Sequence, residues 1–341
     1  MIRSLSDAGA TWRRIVEQSP AATLAHAPEW LPIIQRAYGH DPFYLSAEDD
    51  QGRVAALPAF VVRRPFLGTV VTSMPLLDSG GPCGTSPALG RILVEHLIAE
   101  ARGIGARSIE VRCREPIDIG VRASEHKVNM TLPIPADVDC LWRQLGKDVR
   151  YQIRKAERSG LTIDCGRAEK LRPFYDTFAV RMRDLGSPVH APGFLAAVLE
   201  HFGNRARILL VQKGRETIGG LIALAFKDRV SVPWASCLKE HFSLCPNMLL
   251  YWAALRTACA EGFSHFDFGR STRDSGTYRF KSQWGAQEEP LFWYTIPVAS
   301  SAARPASRTY RHPSFLSKTW QHLPLAVTRQ VGPRLRGYLI Q

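Results

Sequence analysis

The sequence predicts a mixed α/β chain made of two halves of like plan, and three observations carry that expectation. One order of elements occurs twice: strand, turn, strand, a further strand, loop, helix and closing strand. The two runs lie roughly 160 residues apart, far beyond a solenoid period, which points to a duplicated domain. A strongly basic amphipathic helix stands between them, and after Pro297 the texture changes again. The resulting division is a first domain over residues 1–140, a second over 141–296 and a basic amphipathic tail over 297–341. A length of 341 residues agrees with two cores better than one.

Residues 1–42 read as helical entry segments, with Trp12, Ile15 and Val16, then Trp30, Ile33, Ile34 and Tyr38 at helical spacing. Pro32 fits the first turn of the second of these. Phe43–Ala47 then reads as a strand, residues 49–52 as a turn, and Val54–Val62 and Thr69–Met74 as two more strands. A Gly/Pro-rich loop, Ser79–Gly84, leads into an amphipathic helix over Pro87–Arg102, and Ser108–Cys113 closes the set. In the second half the strands are Ala206–Gln212, Thr217–Phe226 and Val230–Cys237, the helix is Met248–Glu261 and the closing strand is Phe263–Phe268. Pro233 inside Val230–Cys237 cannot donate to a ladder, so a bulge or splay is expected there.

The helix between the halves spans Leu141–Ser159. Trp142, Leu145, Val149, Ile153 and Ala156 make its apolar stripe, while Arg143, Lys147, Arg150, Arg154 and Arg158 stack on another face. Five cations in one row fit an anion groove or a solvated helix face equally well. From Pro290 to the end there is no Asp or Glu, while Arg304, Arg308, Arg311, Lys318, Arg329, Arg334 and Arg336 interleave with apolar residues. That pattern suits an anionic membrane surface or a tail packed back on the first domain.

Composition narrows the partner. A net charge of +13 calls for an anion: a phosphate-bearing substrate, a nucleic acid or an acidic membrane face. At 45% hydrophobic and 22% charged residues the chain is of ordinary globular composition, and no run approaches the ~18 apolar residues of a membrane span. Residues 1–18, interrupted by Asp7, Arg13, Arg14 and Glu17, do not read as a signal peptide. Seven cysteines without a C-x-x-C pair read as reduced thiols, and the expected location is cytoplasmic. Cys237, His241 and Cys245 lack an evident fourth ligand, so no metal is expected.

The densest chemistry falls in Phe266–Ser271 and Gly276–Gly285. Phe266 and Phe268 share a strand face with Asp267 opposite, and the strand is expected to break at Gly269. Arg270, Arg273, Arg279 and Lys281 follow, offset only by Asp274. Phe280 and Trp284, four apart, stack on one side of a short helix, so large aromatics pin a cationic loop at a strand's carboxyl end. Asp267-Phe268-Gly269 copies the magnesium-binding tripeptide of protein kinases, but none of the companion kinase motifs is present. No phosphate-binding Walker loop, dinucleotide fingerprint or nucleic-acid-binding module is visible, and DNA is not an expected partner.

Three separated stretches, Arg150–Gly160, Pro246–Trp252 and Phe266–Gly285, resemble the FemAB-type proteins, in particular the branch associated with the exosortase (PEP-CTERM) and exopolysaccharide system. The resemblance is good over Trp142–Ile296 and weak over Phe43–Cys113. It implies two tandem GNAT-like (acyl-CoA N-acyltransferase) domains and acyl or aminoacyl transfer to an amine, with aminoacyl-tRNA or acyl-CoA as co-substrate. The implied acceptor is a phosphate-bearing glycan or peptide precursor, with tRNA as a candidate donor carrier; peripheral contact with the inner face of the cytoplasmic membrane is what the tail's own composition suggests.

By the resemblance Lys281 matches a position linked to substrate phosphate and transition-state stabilisation, and Arg150 and Arg154 match the basic helix beside the substrate cleft. The usual pyrophosphate loop is missing before Met248, where residues 242–247 stand in its place. With these positions go Asp267 as partner of Arg270 or proton acceptor, Tyr278 as donor to the leaving group, and Arg270, Ser271, Arg279, Trp284 and Asn247 as substrate-binding residues. Backbone N–H groups near Pro233 would hold the oxyanion. Lys281→Ala is expected to lower turnover drastically with the fold intact. The alternatives are a non-catalytic assembly factor at the inner membrane face, an RNA-binding protein and an acyl-CoA-dependent sugar N-acetyltransferase.

Overall fold

The computed structural model describes residues 1–5, 9–298 and 314–339. In chain order the first elements are β1 (Ile2–Leu5), α1 (Ala10–Gln18), α2 (Trp30–Tyr38), β2 (Asp41–Pro42), β3 (Tyr44–Glu48), β4 (Val54–Leu57) and β5 (Phe60–Arg64). They continue with β6 (Gly68–Thr72), β7 (Cys83–Gly84), α3 (Pro87–Gly103), β8 (Ser108–Cys113) and β9 (Lys127–Pro133). Then come α4 (Val138–Gln144), α5 (Lys147–Arg158), β10 (Leu161–Gly166), α6 (Leu171–Asp184) and α7 (Pro192–Phe202). The second run holds β11 (Ala206–Lys213), β12 (Glu216–Phe226), β13 (Arg229–Cys237), α8 (Pro246–Ala260) and β14 (His265–Thr272). Last are α9 (Gly276–Ser282), β15 (Gln287–Pro290), β16 (Phe292–Pro297), α10 (Ser314–Gln321) and α11 (Leu325–Tyr338).

Two compact units result. One comprises Met1–Val128 with the segment following Pro290 and the chain end from Gly337; the other comprises Asn129–Glu289 with the tail residues up to Arg336.

The first unit holds a four-stranded sheet, β1-β3-β4-β7, and a five-stranded sheet, β16-β8-β6-β5-β2. Leu93, Val94, Leu97 and Ala101, on one face of α3, pack in a core with Leu57, Val61, Val71, Ile109 and Val111. The expected single strand over Val54–Val62 is two, in different sheets. Pro58 lies between β4 and β5, where the missing N–H and fixed φ end one ladder and let the next start in a new plane.

The second unit is built on a seven-stranded sheet, β10-β11-β12-β13-β14-β9-β15. Its central helix, α8, buries eleven of its fifteen residues, which explains an apolar sequence all round rather than one stripe. The connecting helix expected over Leu141–Ser159 breaks into α4 and α5. Leu145 takes extended backbone (ψ 139°) with its side chain buried, and Gly146 starts the new helix. The row of five cations is correspondingly cut, with Arg143 on α4 and the other four on α5. Val149, Ile153 and Ala156 are the buried face of α5, as their spacing required.

The duplicated plan is visible as two parallel crossovers, β6–α3–β8 and β13–α8–β14, each preceded by an antiparallel strand pair. At Pro233 both expected distortions occur. Ala223 of β12 faces two residues of β13, Val232 and Pro233, because the register shifts between Ile222 and Leu224. The parallel ladder to β14 also ends just before it, at Ser231 and Asp267.

Up to Arg336 the tail helices pack on α6 and the loop after it, in the second unit. Gly337, at the end of α11, abuts Tyr38, and its carbonyl accepts from His40 Nε2 (2.9 Å) in the first unit, the packing that was one of the two alternatives for the tail. Arg329 Nη2 lies 2.8 Å from Asp176 Oδ1, Gln321 Nε2 donates to Asp184 O (3.0 Å), and Ser317 abuts Gly186. Arg304, Arg308 and Arg311 lie outside the described residues.

Candidate active site

The aromatic and charged stretches are held through two adjacent residues of α8. Tyr251 stacks on Phe268 (5.5 Å between centroids) and meets Phe280 edge-on (5.1 Å), while Trp284 lies 6.4 Å from both Tyr251 and Phe268. Trp252, next along the helix, packs against Trp142 of α4 (4.9 Å), and the Arg154 guanidinium lies over that Trp142 ring at 5.4 Å. One buried helix thus positions the β14–α9 motif on one side and the basic helix α5 on another. Burial also pushes the Tyr251 hydroxyl's pKa up, keeping it neutral within the cluster.

β14 does not break at Gly269. Gly269 has φ +75°, a conformation glycine adopts freely, and the Asp267 carboxylate accepts its N–H at 2.7 Å. This clamp lets the strand run on to Thr272, carrying Arg270 and Ser271 within it. The Lys281 ammonium is buried and donates to the carbonyls of Gly269 (2.9 Å) and Arg270 (2.7 Å). It therefore ties α9 to β14. Lys281→Ala removes both of these bonds, so a structural cost is expected beside the loss of turnover.

Tyr278 points its hydroxyl at Glu288, which also accepts from Arg273 Nε at 2.9 Å. The Glu288 acceptor raises the Tyr278 pKa, while the same hydrogen bond, then that from Arg273, lowers the pKa of Glu288. Arg279 is exposed and donates to Asp274 O (3.1 Å). Asn247 sits in the first turn of α8, between Pro246, which has no N–H, and Met248, whose N–H donates to Cys245 O (3.0 Å), so it stands at the positive dipole end of the helix. Arg150 is half-buried and Arg154 exposed on α5.

Sequence reasoning missed the arrangement of unpartnered polar atoms. The hydroxyls of Ser236 on β13 and Ser271 on β14, and the indole N–H of Trp284, are buried without a hydrogen-bond partner among the described residues. Ser236 and Ser271 both lie beyond the point where the two strands stop pairing. A buried polar group left in this way costs about 1–3 kcal/mol, so three of them near the point where the strands stop pairing single that point out as the candidate site. Pro233 was the available signal.

A cavity elsewhere was not anticipated. In the first unit a cavity of about 410 Å³ is lined by the glycine-rich loop, the start of α3, His26, Arg91 and Arg114, among others. Ser86 caps α3 by accepting from Leu89 N, and His26 is fixed by the N–H of Thr23 (3.0 Å) and by Gly81 O (2.7 Å).

Residues 143–282 match the acetyltransferase (GNAT) domain family, a span that contains α5, the unzipped strand pair, α8 and α9. The match gives the second half of the chain an acyltransferase domain. In structure the chain is similar to FemX, with TM-score 0.66 and 14% identity over 87% of this chain and 98% of that one. It is also similar to L-PGS from Bacillus licheniformis, with TM-score 0.52 and 15% identity over 90% of this chain and 97% of that one. A conserved protein of unknown function from Bacteroides thetaiotaomicron VPI-5482 gives TM-score 0.58 and 9% identity over 87% and 100%. At these identities the likeness is one of fold, and it extends over both halves. Among curated proteins, none matches the chain in sequence.

Proposed function

We propose that the protein moves an activated acyl or aminoacyl group onto an amine of a phosphate-bearing cell-envelope precursor, of peptidoglycan or exopolysaccharide, as a FemAB-type protein of the exosortase-associated branch. The observation that carries this reading is the open strand pair. Inside the GNAT-matched span, β13 and β14 pair only as far as Ser231 and Asp267, and each then leaves a buried hydroxyl unpaired. A donor's amide or scissile carbonyl laid between them supplies the missing partners.

The amine nitrogen attacks the donor carbonyl, an N–C bond forms, and the C–S bond of a thioester or C–O bond of an aminoacyl ester breaks. The amine's surplus proton leaves with the thiol or hydroxyl. Backbone N–H groups of β13 beyond Pro233 hold the oxyanion, in the manner of preorganised donors worth about 3–4 kcal/mol each. Arg150, Arg154, Arg270 and Arg279 receive phosphate, with Asn247 at the α8 N-terminus. Ser271 and Trp284 hold the donor, while Asp267, Tyr278 and Lys281 shape the charge at the end of β14. Aminoacyl-tRNA and acyl-CoA are the two donor classes, and an acyl-CoA-dependent sugar N-acetyltransferase remains within the same geometry.

The test is transfer itself. Purified protein is mixed with radiolabelled acetyl-CoA or charged bulk tRNA and a nucleotide-linked amino-sugar or peptide precursor fraction. Label in an amide that survives mild base supports the reading; no amide-linked label with either donor overturns it.

A further inference from the structure

The tail helices dock the wrong way round for an ordinary amphipathic pair. Toward the second unit α11 turns Thr328 and Gly332, both buried, with Arg329 and Arg336; Gly332 abuts Val189, and Arg336 Nε donates to His190 Nε2 at 3.3 Å. Toward solvent it turns Val327, Val331 and Leu335, at 40%, 38% and 42% exposure and a spacing of four, with exposed Arg334 beside them. On α10, Ser317 and Trp320 face the body, against Gly186 and Gly332, while Phe315 (75%) and Leu316 (61%) stand out. Leu185, next to Gly186, is 54% exposed as well. Single exposed apolar residues are ordinary; a run following a helical period beside a second exposed pair is not.

We infer that the outward faces of α10 and α11 form a docking surface for an anionic lipid bilayer. Charge selects that occupant over a second copy or a protein groove. From Pro290 to Gln341 the sequence has no carboxylate side chain, and the exposed cations Lys318 and Arg334 flank the apolar residues. Short helices with apolar residues outward and cations at their margins lie in the headgroup boundary, the apolar side chains inserted and the cations among lipid phosphates. No helix of the described residues is long and apolar enough to cross a membrane, so the surface rests on the bilayer and does not span it. The inference stands apart from the transfer reaction.

The experiment is co-sedimentation of the full chain with vesicles of equal parts phosphatidylcholine and phosphatidylglycerol, against vesicles of phosphatidylcholine alone. The expected result is binding to the anionic vesicles, lowered by high salt and absent from the neutral ones. Val331→Glu with Leu335→Glu should weaken partitioning about tenfold or more with an unchanged thermal melt, since both side chains are exposed in the free protein. Lys318→Glu with Arg334→Glu should weaken it without touching an apolar residue. Failure to sediment, equal sedimentation of the apolar variant, or no preference for anionic lipid overturns the inference. So does a dimer broken by the same substitutions, which would assign the face to a second copy. Transfer to a soluble acceptor, measured on the same variants, is expected to be unchanged.

Discussion

The two crossovers share a plan and differ in how the gap between their parallel strands is finished. In the first unit the loop after β6 laces the gap shut. Ser73 N donates to Glu110 O (2.8 Å), Gly80 N to Arg112 O (2.9 Å), and Arg112 N to Ser73 Oγ (2.9 Å), while the buried Arg112 guanidinium donates to Leu77 O (2.7 Å) and lies 4.6 Å from the Trp293 ring. In the second unit the loop after β13 turns away. Leu238 N donates to Ile218 O of β12, and a left-handed Cys245 leads straight into α8. A duplicated fold has thus kept one copy stitched and one open, and the open copy lies in the span that matches an acetyltransferase domain.

Each crossover ends on a buried cation, and replacing these should give the largest effects on stability. Arg112→Met leaves Leu77 O and the half-buried Glu110 carboxylate without their partner and should cost about 3–4 kcal/mol. Lys281→Met removes the ammonium's bonds to the Gly269 and Arg270 carbonyls and should cost about 2–3 kcal/mol. Chemical denaturation of the two variants checks the order. A Lys281 variant of wild-type stability would show that the ammonium is not held as a tie, and the comparison of the two cations would fail.

Much of this was legible in the sequence because it depends on local period. The stripe Val149, Ile153 and Ala156, the helix after Ser86 and the proline distortion at Pro233 all follow from residue spacing or a missing donor. The breaks at Pro58 and Gly146 were written there too, but a strong flanking pattern masked them. What could not be read is whatever depends on a distant partner. Lys281 looks like a substrate ligand in sequence; its two carbonyls become evident only when α9 folds onto β14. The lack of partners for the Ser236 and Ser271 hydroxyls is likewise a property of two strands roughly 35 residues apart, and no local pattern encodes it.

The next effect separates the units by pH. His190 is fully buried, stacked on Phe194 at 4.7 Å, and its pKa is held well below the ordinary value, by burial first and by Arg336 second. An unfolded histidine takes up a proton near ~6.5 while the folded one does not. The stability gained from the neutral ring is therefore complete above that pH and falls as pH drops below it, by about 1.4 kcal/mol per pH unit. In the first unit His40 is also lowered by burial, but its bond to Gly337 O works against the shift, so its share is smaller. His190→Phe should flatten the acid limb of a stability–pH curve more than His40→Phe does; equal slopes would refute the assignment.

The smallest and sharpest comparison is between two serines at corresponding gaps. Ser73 Oγ accepts the Arg112 N–H, so Ser73→Ala leaves a buried donor without a partner and should cost about 1–3 kcal/mol. Ser271 Oγ is equally buried but unpartnered, so Ser271→Ala should change stability by less than about 0.5 kcal/mol, or raise it, while lowering transfer. Thermal melts and single-turnover transfer on both variants decide the matter. If Ser271→Ala cost as much as Ser73→Ala, its hydroxyl would have to be satisfied within the folded chain. The second gap would then be as fully stitched as the first, and a donor would find no unpaired atoms there to bind.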